Sequence, residues 1–218
     1  MDVADKRATP KAALEHYRHM RLKPGLQAQE IAKLFTALPA ATPVELTELL
    51  TYASGFSSPD FGAVDFTGRS LQFSFDEISP FGIPIASRDG NTWVIDIQSD
   101  GASTYVLYFS HDPPVVIIQF DSLAEFIDAV GNQHDVAGAA NIAASQVYKT
   151  GASGISVAEA RRSRDTDIAK FAENLPGNLS VFDLRKRSPL RGFAWGRTGP
   201  NAECRRAGTN LIFAATVK

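Results

Sequence analysis

Two places in the 218-residue chain offer a histidine in a context where it could do chemistry. His111 and Asp112 follow a predicted strand, which is where catalytic side chains often lie, but the neighbouring sequence supplies no nucleophile or metal ligand for them. His16 and His19 are three residues apart on a predicted helix, without a cysteine or acidic residue at metal-site spacing. A turn beginning at Asp112 explains the first context, and histidines exposed on a helix explain the second. We therefore expect no metal site.

Other reactive side chains give equally little indication of catalysis. Cys204 lies in the basic stretch NAECRRAG, where positive charge could lower a thiol pKa, but a single cysteine in such a loop is more often incidental. Asp76 and Glu77 are adjacent and so point in different directions on an extended chain. The sequence also lacks the glycine-rich phosphate and dinucleotide motifs and the G-x-S-x-G nucleophile motif. We therefore expect no catalytic residues, no cofactor and no enzymatic activity.

The segment LRKRSPLRGFAWGR (184–197) interleaves basic residues with Phe193 and Trp195. This composition is typical of surfaces that contact phosphates and stack on bases, so nucleic-acid binding by the C-terminal part is an alternative function. A second interpretation is that the basic segment neutralises an acidic neighbour. The charge distribution favours that interpretation, because an acidic domain beside the segment would repel a phosphate backbone.

Charge divides the chain into two unequal parts. Residues 1–150 contain 10 Lys and Arg against 18 Asp and Glu, a net charge of −8, whereas residues 151–218 contain 12 against 6, a net charge of +6. Opposite signs suggest two modules that contact each other. The N-terminal residues have no apolar core of a secretory signal, no apolar run approaches membrane-spanning length, and one cysteine cannot form an internal disulfide. These features predict a soluble, cytoplasmic protein.

The elements that would position these residues begin with three helices. Thr9-Pro10 starts the first helix, which we expect to end at Gly25. Ile31, Leu34 and Phe35 repeat the helical spacing. A capping box at Thr42–Glu45 starts a third helix, with apolar residues at helical spacing up to Ala53. The stretch 55–68 is rich in loop-forming residues.

Strand periodicity begins at Leu71 and continues to Phe120, which predicts four or five antiparallel strands. In the stretch IPIASRDGNTWVIDI (83–97), Asp89-Gly90-Asn91 supplies a turn, while Trp93, Ile95 and Ile97 share one face and Val94 and Asp96 the other. A helix capped by Ser122 and Glu125 follows, with its apolar face on the sheet. This order of helices and strands predicts an α+β fold.

We divide the chain into an α+β domain of residues 1–130, an Ala/Gly-rich linker or helix of residues 131–155, and a small basic α+β module of residues 156–218. The C-terminal module begins with a capping box, Ser156 to Glu159. Its 63 or so residues suit a small unit that is only marginally stable alone.

Residues of about 40–130 resemble the SUKH superfamily, which includes yeast glucan-synthesis regulators and many bacterial toxin-immunity proteins. The resemblance lies in the order of LPAATPVELTELLTYASGF, FGIPIASRDGNTWVIDI and VLYFSHDPPVVIIQFDSLAEFIDAV. It implies a twisted, mostly antiparallel sheet flanked by helices, no enzymatic activity, and binding to a protein. For bacterial members it implies neutralisation of a toxin, often a nuclease or deaminase. A regulatory adaptor in cell-wall or signalling processes is the alternative role.

The resemblance transfers no particular contact residues to this chain. An acidic domain suits capture of a basic toxin domain, because complementary charge speeds encounter and disfavours wrong partners. We therefore expect the partner to contact acidic residues in loops around the sheet, namely Asp60, Asp65, Asp76, Glu77, Asp89, Asp100 and Asp112. We expect no membrane association, and the C-terminal module would be an extension specific to this chain.

Overall fold

The computed structural model describes residues 9–36, 43–71, 77–98, 104–150, 154–186, 190–196 and 202–216. Seven helices occur in these residues, and most of them are short. They are α1 (Pro10–His16), α2 (Ala28–Phe35), α3 (Val44–Tyr52), α4 (Leu123–Gly131), α5 (Val136–Thr150), α6 (Val157–Ala160) and α7 (Thr166–Ala172). Buried residues of these helices pack against strand residues in the apolar cores, so the helices cover the sheets rather than forming a bundle of their own.

The described strands form three sheets, and all their pairings are antiparallel. The strands are β1 (Arg21–Pro24), β2 (Ala53–Ser58), β3 (Gly62–Asp65), β4 (Gly82–Arg88), β5 (Asn91–Ile97), β6 (Thr104–Ser110), β7 (Val115–Phe120), β8 (Ile155–Ser156), β9 (Leu179–Asp183), β10 (Gly192–Ala194), β11 (Cys204–Arg206) and β12 (Ile212–Thr216). Their orders are β1-β2-β3, β10-β7-β6-β5-β4 and β11-β12-β9-β8. The predicted α+β class is confirmed.

The five-stranded sheet is buried on both faces. On β5, Trp93, Ile95 and Ile97 enter the apolar core beneath α1 to α5, as predicted from their alternation. Val94 points the other way, into a second core shared with the four-stranded sheet, and α6 and α7 cover the far side of that sheet. The central strands are therefore sandwiched between helices and a second sheet.

The C-terminal residues contact the N-terminal part through this second core. Strand β10 pairs with β7, with Phe193 opposite Val116, and so completes the five-stranded sheet. Phe182, Phe193 and Phe213 are all buried, and the ring of Phe193 lies 5.2 Å from that of Phe182 and 5.0 Å from that of Phe213. The expected contact between the oppositely charged parts is present, and apolar packing makes most of it.

Two of the predicted helix starts are confirmed in atomic detail. The Ser122 hydroxyl accepts a hydrogen bond from the Glu125 amide, while the Glu125 carboxylate accepts one from the amide of Asp121. Ser156 and Glu159 form a reciprocal capping box. These contacts satisfy amides that the first helical turn leaves without partners.

Two local predictions are wrong, and a third cannot be compared with the described residues. The first helix ends at His16 rather than Gly25, because Tyr17 leaves the helical conformation and its hydroxyl donates to Asp128 on α4. The stretch 55–68 contains β2 and β3 rather than a loop, since Phe56 and Val64 are buried and pair with each other. The predicted strand around Phe73 and Phe75 lies outside the described residues.

The turn at residues 89–91 also differs from its prediction. Positive φ angles occur at Asp89 (53°) and Gly90 (81°), which are the two turn positions between β4 and β5. Asn91 is instead the first residue of β5, and it is buried. Its side chain thus serves tertiary contacts rather than the turn.

Candidate protein-interaction site

Three turns meet at one end of the five-stranded sheet. The amide of His111 donates to the Asn91 side-chain oxygen at 2.9 Å, which brings the β6–β7 turn against the β4–β5 turn. The Arg88 guanidinium donates to the carbonyl of Asp60 at 3.4 Å, which brings the β2–β3 turn to the same place. We call this surface the turn end and define it by residues 60–61, 88–91 and 111–114.

A polar cleft opens between the turn end and the start of α5. Its volume is about 270 Å³. Its lining combines polar and apolar residues, namely Asp60, Phe61, Arg88, Val130, Gln133, His134, Asp135, Val136 and Ala137. The cleft is small for a drug-sized ligand, so its shape suits one or two side chains of a partner.

The wall of the cleft formed by the end of α4 has a defined backbone geometry. His134 donates its amide to the carbonyl of Ala129, and Gln133 donates its amide to Val130. These two bonds form a Schellman motif, whose C′ position needs a left-handed residue and is usually glycine. Here the position is held by Gln133 with φ 57°. A non-glycine residue in this conformation costs about 1 kcal/mol, so the side chain that lines the cleft is present despite a small backbone penalty.

Hydrogen bonds behind the turn end hold it against α5. The Tyr108 hydroxyl donates to the Asn141 side chain on α5, and the Asn91 amide group donates to the same oxygen at 3.4 Å. Burial and the negative charge of Asp89 raise the pKa of Tyr108 to about 12. The Trp93 indole donates to Gln119 at 2.7 Å. The turns therefore stand on a fixed support rather than on a free loop.

Three of the seven predicted acidic contact residues gather at the turn end. Asp60, Asp89 and Asp112 are exposed there. Asp89 lies 3.8 Å from the Arg88 guanidinium with 85% of its side chain exposed, an arrangement that contributes little stability. Within the described part of the chain, the carboxylates of Asp60 and Asp112 have no ion-pair partner. Their charges are thus available to a partner protein.

The other four predicted acidic residues do not join this group. Asp65 is half-buried. Burial raises its pKa, but hydrogen bonds from Thr67 and Ser70 and the charge of Lys23 outweigh that effect and hold the pKa below its usual value. Glu77 is exposed near Cys204, away from the turn end. Asp76 and Asp100 lie outside the described residues.

The side chain of Asp96 is the most important polar group that sequence reasoning missed. Its carboxylate is fully buried and accepts two bonds from the Arg206 guanidinium, at 2.6 and 2.8 Å. Ser79 and Gln98 also donate to it. Arg206 completes its own hydrogen bonding with the carbonyls of three residues, Ile78, Thr209 and Asn210. This pair joins β5 to β11 and is structural.

The other residues that the sequence analysis considered as catalytic or metal-binding candidates are not arranged as such a site. His16 and His19 both pack edge-on against the Tyr17 ring, and His111 is exposed. Burial raises the pKa of the Cys204 thiol to about 12, so the thiolate that nucleophilic chemistry requires is scarce at neutral pH. No group of three or more potential metal ligands occurs among the described residues.

In the described part of the basic C-terminal segment, one of the two aromatic rings is not available for stacking on a base. Phe193 is fully buried, so its ring is inaccessible to a base. Arg185 pairs with three carboxylates, those of Asp165, Asp167 and Asp183, and Arg191 pairs with Asp121. The described arginines of this segment are therefore largely neutralised within the protein.

Comparison of the chain with models of known protein families finds no match, and a search of curated proteins finds no similar sequence. The resemblance to the SUKH superfamily thus stays a prediction. None of the helices in the described ranges has both the length and the apolar character needed to cross a bilayer.

Proposed function

We propose that this chain is a non-enzymatic protein-binding module that captures a basic partner with its turn end. The observation that carries the proposal is the convergence of Asp60, Asp89 and Asp112, which are distant in sequence, at one end of a rigid sheet. Exposed carboxylates on a fixed frame can pair with a partner's cations without a cost for ordering the backbone of this chain.

The charge of the surrounding surface supports the same proposal. Residues 1–150 carry a net charge of −8, while Arg185, Arg191 and Arg206 of the basic part are each engaged with carboxylates inside the protein. A positively charged partner would be drawn to the acidic surface before contact, which raises the association rate. The polar cleft beside the turn end offers Asp60 and Asp135 to an arginine or lysine that enters it.

The partner class that fits best is a basic toxin domain of the nuclease or deaminase type, so the chain would act as an immunity protein. This finer proposal rests on the resemblance to the SUKH superfamily together with the acidic turn end. Nucleases that bind phosphate backbones carry basic surfaces, and an acidic inhibitor can cover such a surface directly. A regulatory adaptor would use the same surface on a different basic protein.

The test begins with the proteins encoded beside this chain. Each is expressed in a host with and without the chain, and growth and complex formation are measured. A neighbouring product that is toxic alone, harmless with the chain, and purifies with it supports the immunity role. If a neighbouring product binds the turn end without being toxic, the adaptor role replaces it. If none binds, the proposal fails.

Matched variants locate the binding surface. Asp60→Lys, Asp89→Lys and Asp112→Lys reverse exposed charges at the turn end, while Glu77→Lys reverses an exposed charge elsewhere. Each single turn-end reversal should weaken the complex about tenfold or more, mainly through unfavourable contact with the partner's cations. Glu77→Lys controls for the change in net charge. Equal losses from all four variants would mean that only the overall charge matters.

A further inference from the structure

A second cleft lies on the other side of the β2–β3 turn, and its charge is opposite to that of the turn end. Its volume is about 280 Å³, and it is lined by His19, Arg21, Ser57, Ser58 and Pro59. We propose that this basic cleft binds the phosphate group of a small phosphomonoester. Such a ligand goes beyond the capture of a basic protein, which uses the acidic surface.

The strand pairing places two of the donors side by side. Arg21 of β1 is the direct cross-strand partner of Ser57 of β2, so their side chains project from the same face of the sheet about 5 Å apart. An oxyanion between them can accept a guanidinium hydrogen bond and a hydroxyl hydrogen bond together. His19 adds an imidazole on the side of the cleft formed by the segment before β1.

Arg21 and Ser57 make no polar side-chain contact within the described part of the protein. Within the described ranges, the Arg21 guanidinium makes no ion pair or hydrogen bond, and the hydroxyl of Ser57 makes none either. Lys23, two residues further along β1, lies 3.9 Å from Asp65 and is partly neutralised by it. Arg21 is thus the cation of this strand that remains available to an anion.

The local sequence is basic although the surrounding part of the chain is acidic. Residues 18–23, RHMRLK, contain Arg18, His19, Arg21 and Lys23 and no acidic residue, within a part whose net charge is −8. The described residues that line the cleft likewise include Arg21 and no acidic residue, so the cleft would attract an anion.

The arrangement of donors favours a phosphate over a carboxylate. A carboxylate offers two oxygens in one plane, which a single arginine can satisfy. Arg21, Ser57 and His19 approach from separate backbone positions on two strands and a preceding segment, and a phosphomonoester offers three acceptor oxygens and up to two negative charges to meet them. The cleft volume lies near the lower end for small-molecule sites, which suits a phosphate with a small organic group.

The experiment titrates the full chain with inorganic phosphate, a hexose phosphate and acetate, and measures binding by calorimetry and by thermal shift. We expect phosphate and hexose phosphate to bind competitively and acetate to bind at least about tenfold more weakly. Arg21→Gln should reduce phosphate affinity about tenfold or more, and Ser57→Ala should reduce it several-fold.

Two control variants distinguish phosphate binding in the cleft from non-specific attraction of an anion to the positive charge of this segment. Arg18→Gln removes an exposed positive charge of the same segment, and Ser54→Ala removes a half-buried hydroxyl of the same strand that does not line the cleft. Both should bind phosphate as the parent chain does. No phosphate binding at millimolar concentration, acetate binding as tightly as phosphate, or equal losses from Arg18→Gln and Arg21→Gln would each overturn the proposal.

Discussion

Replacing Arg206 with methionine tests whether the buried pair holds the C-terminal sheet on the central sheet. Arg206 is 2% exposed and Asp96 is fully buried, so the substitution leaves a carboxylate in the interior without its counter-charge. Hydrogen bonds from Ser79 and Gln98 remain, but the carbonyls of Ile78, Thr209 and Asn210 lose their donor.

Breaking one side of a buried ion pair costs about 3–5 kcal/mol, because the desolvation of the remaining charge is no longer compensated. The total free energy of unfolding of a protein of this kind is about 5–15 kcal/mol. Arg206→Met should therefore greatly lower the urea concentration at which half of the protein is unfolded. The double variant Asp96→Leu/Arg206→Met removes both charges. It should regain at least about 1 kcal/mol over the single variant, because no unpaired charge remains.

The neighbouring arginine provides the control. Arg205 pairs with Glu203 at the surface, with about half of the arginine side chain exposed. Arg205→Met should therefore change the free energy of unfolding by less than about 1 kcal/mol. Urea unfolding followed by circular dichroism measures all variants. If Arg206→Met costs no more than Arg205→Met, the structural role assigned to the buried pair is wrong.

Three further predictions use the same measurement of unfolding. Trp93→Ala should cost about 3–5 kcal/mol, since the ring is buried and its indole bonds to Gln119; a near-neutral change would contradict its place in the core. Gln133→Gly should stabilise the chain by about 1 kcal/mol, because glycine adopts the left-handed C′ conformation without strain, and a loss of stability would mean that the Gln133 side chain makes a larger contribution of its own. The raised pKa of Tyr108 means that the folded state favours the neutral phenol. The stability that this preference contributes is complete below pH 10 and is lost as the pH rises toward about 12. Tyr108→Phe should remove that part of the alkaline decline, and an unchanged decline would refute the assignment.

The parts of the fold that depend on local sequence were predictable. The alternation of Trp93, Val94 and Ile95 assigned both faces of β5 correctly, and the capping residues Ser122 and Ser156 marked helix starts because their hydrogen bonds span only three residues. Such signals need no knowledge of distant parts of the chain.

The parts that depend on distant contacts were not predictable. Asp96 is a polar residue at an alternating position of a strand, which is typical of an exposed residue. It is buried because Arg206 and strands β9, β11 and β12, all more than 80 residues later in the chain, cover that face. Strand β2 was missed because its glycine and serines indicate a loop, although Phe56 anchors it in the core. The acidic candidates could be named one by one from the sequence. Which of them lie together could not, because that depends on contacts between turns such as the one between Arg88 and Asp60.

The most direct test of the account compares two charge reversals in one binding measurement. The affinity of the partner found among neighbouring gene products is measured by calorimetry for the parent chain, Asp60→Lys and Glu77→Lys, after circular dichroism has shown that all three are folded. The account predicts a loss of about tenfold or more for Asp60→Lys and less than about twofold for Glu77→Lys, since only Asp60 lies at the turn end. Unchanged affinity of Asp60→Lys, or an equal loss from Glu77→Lys, would contradict it.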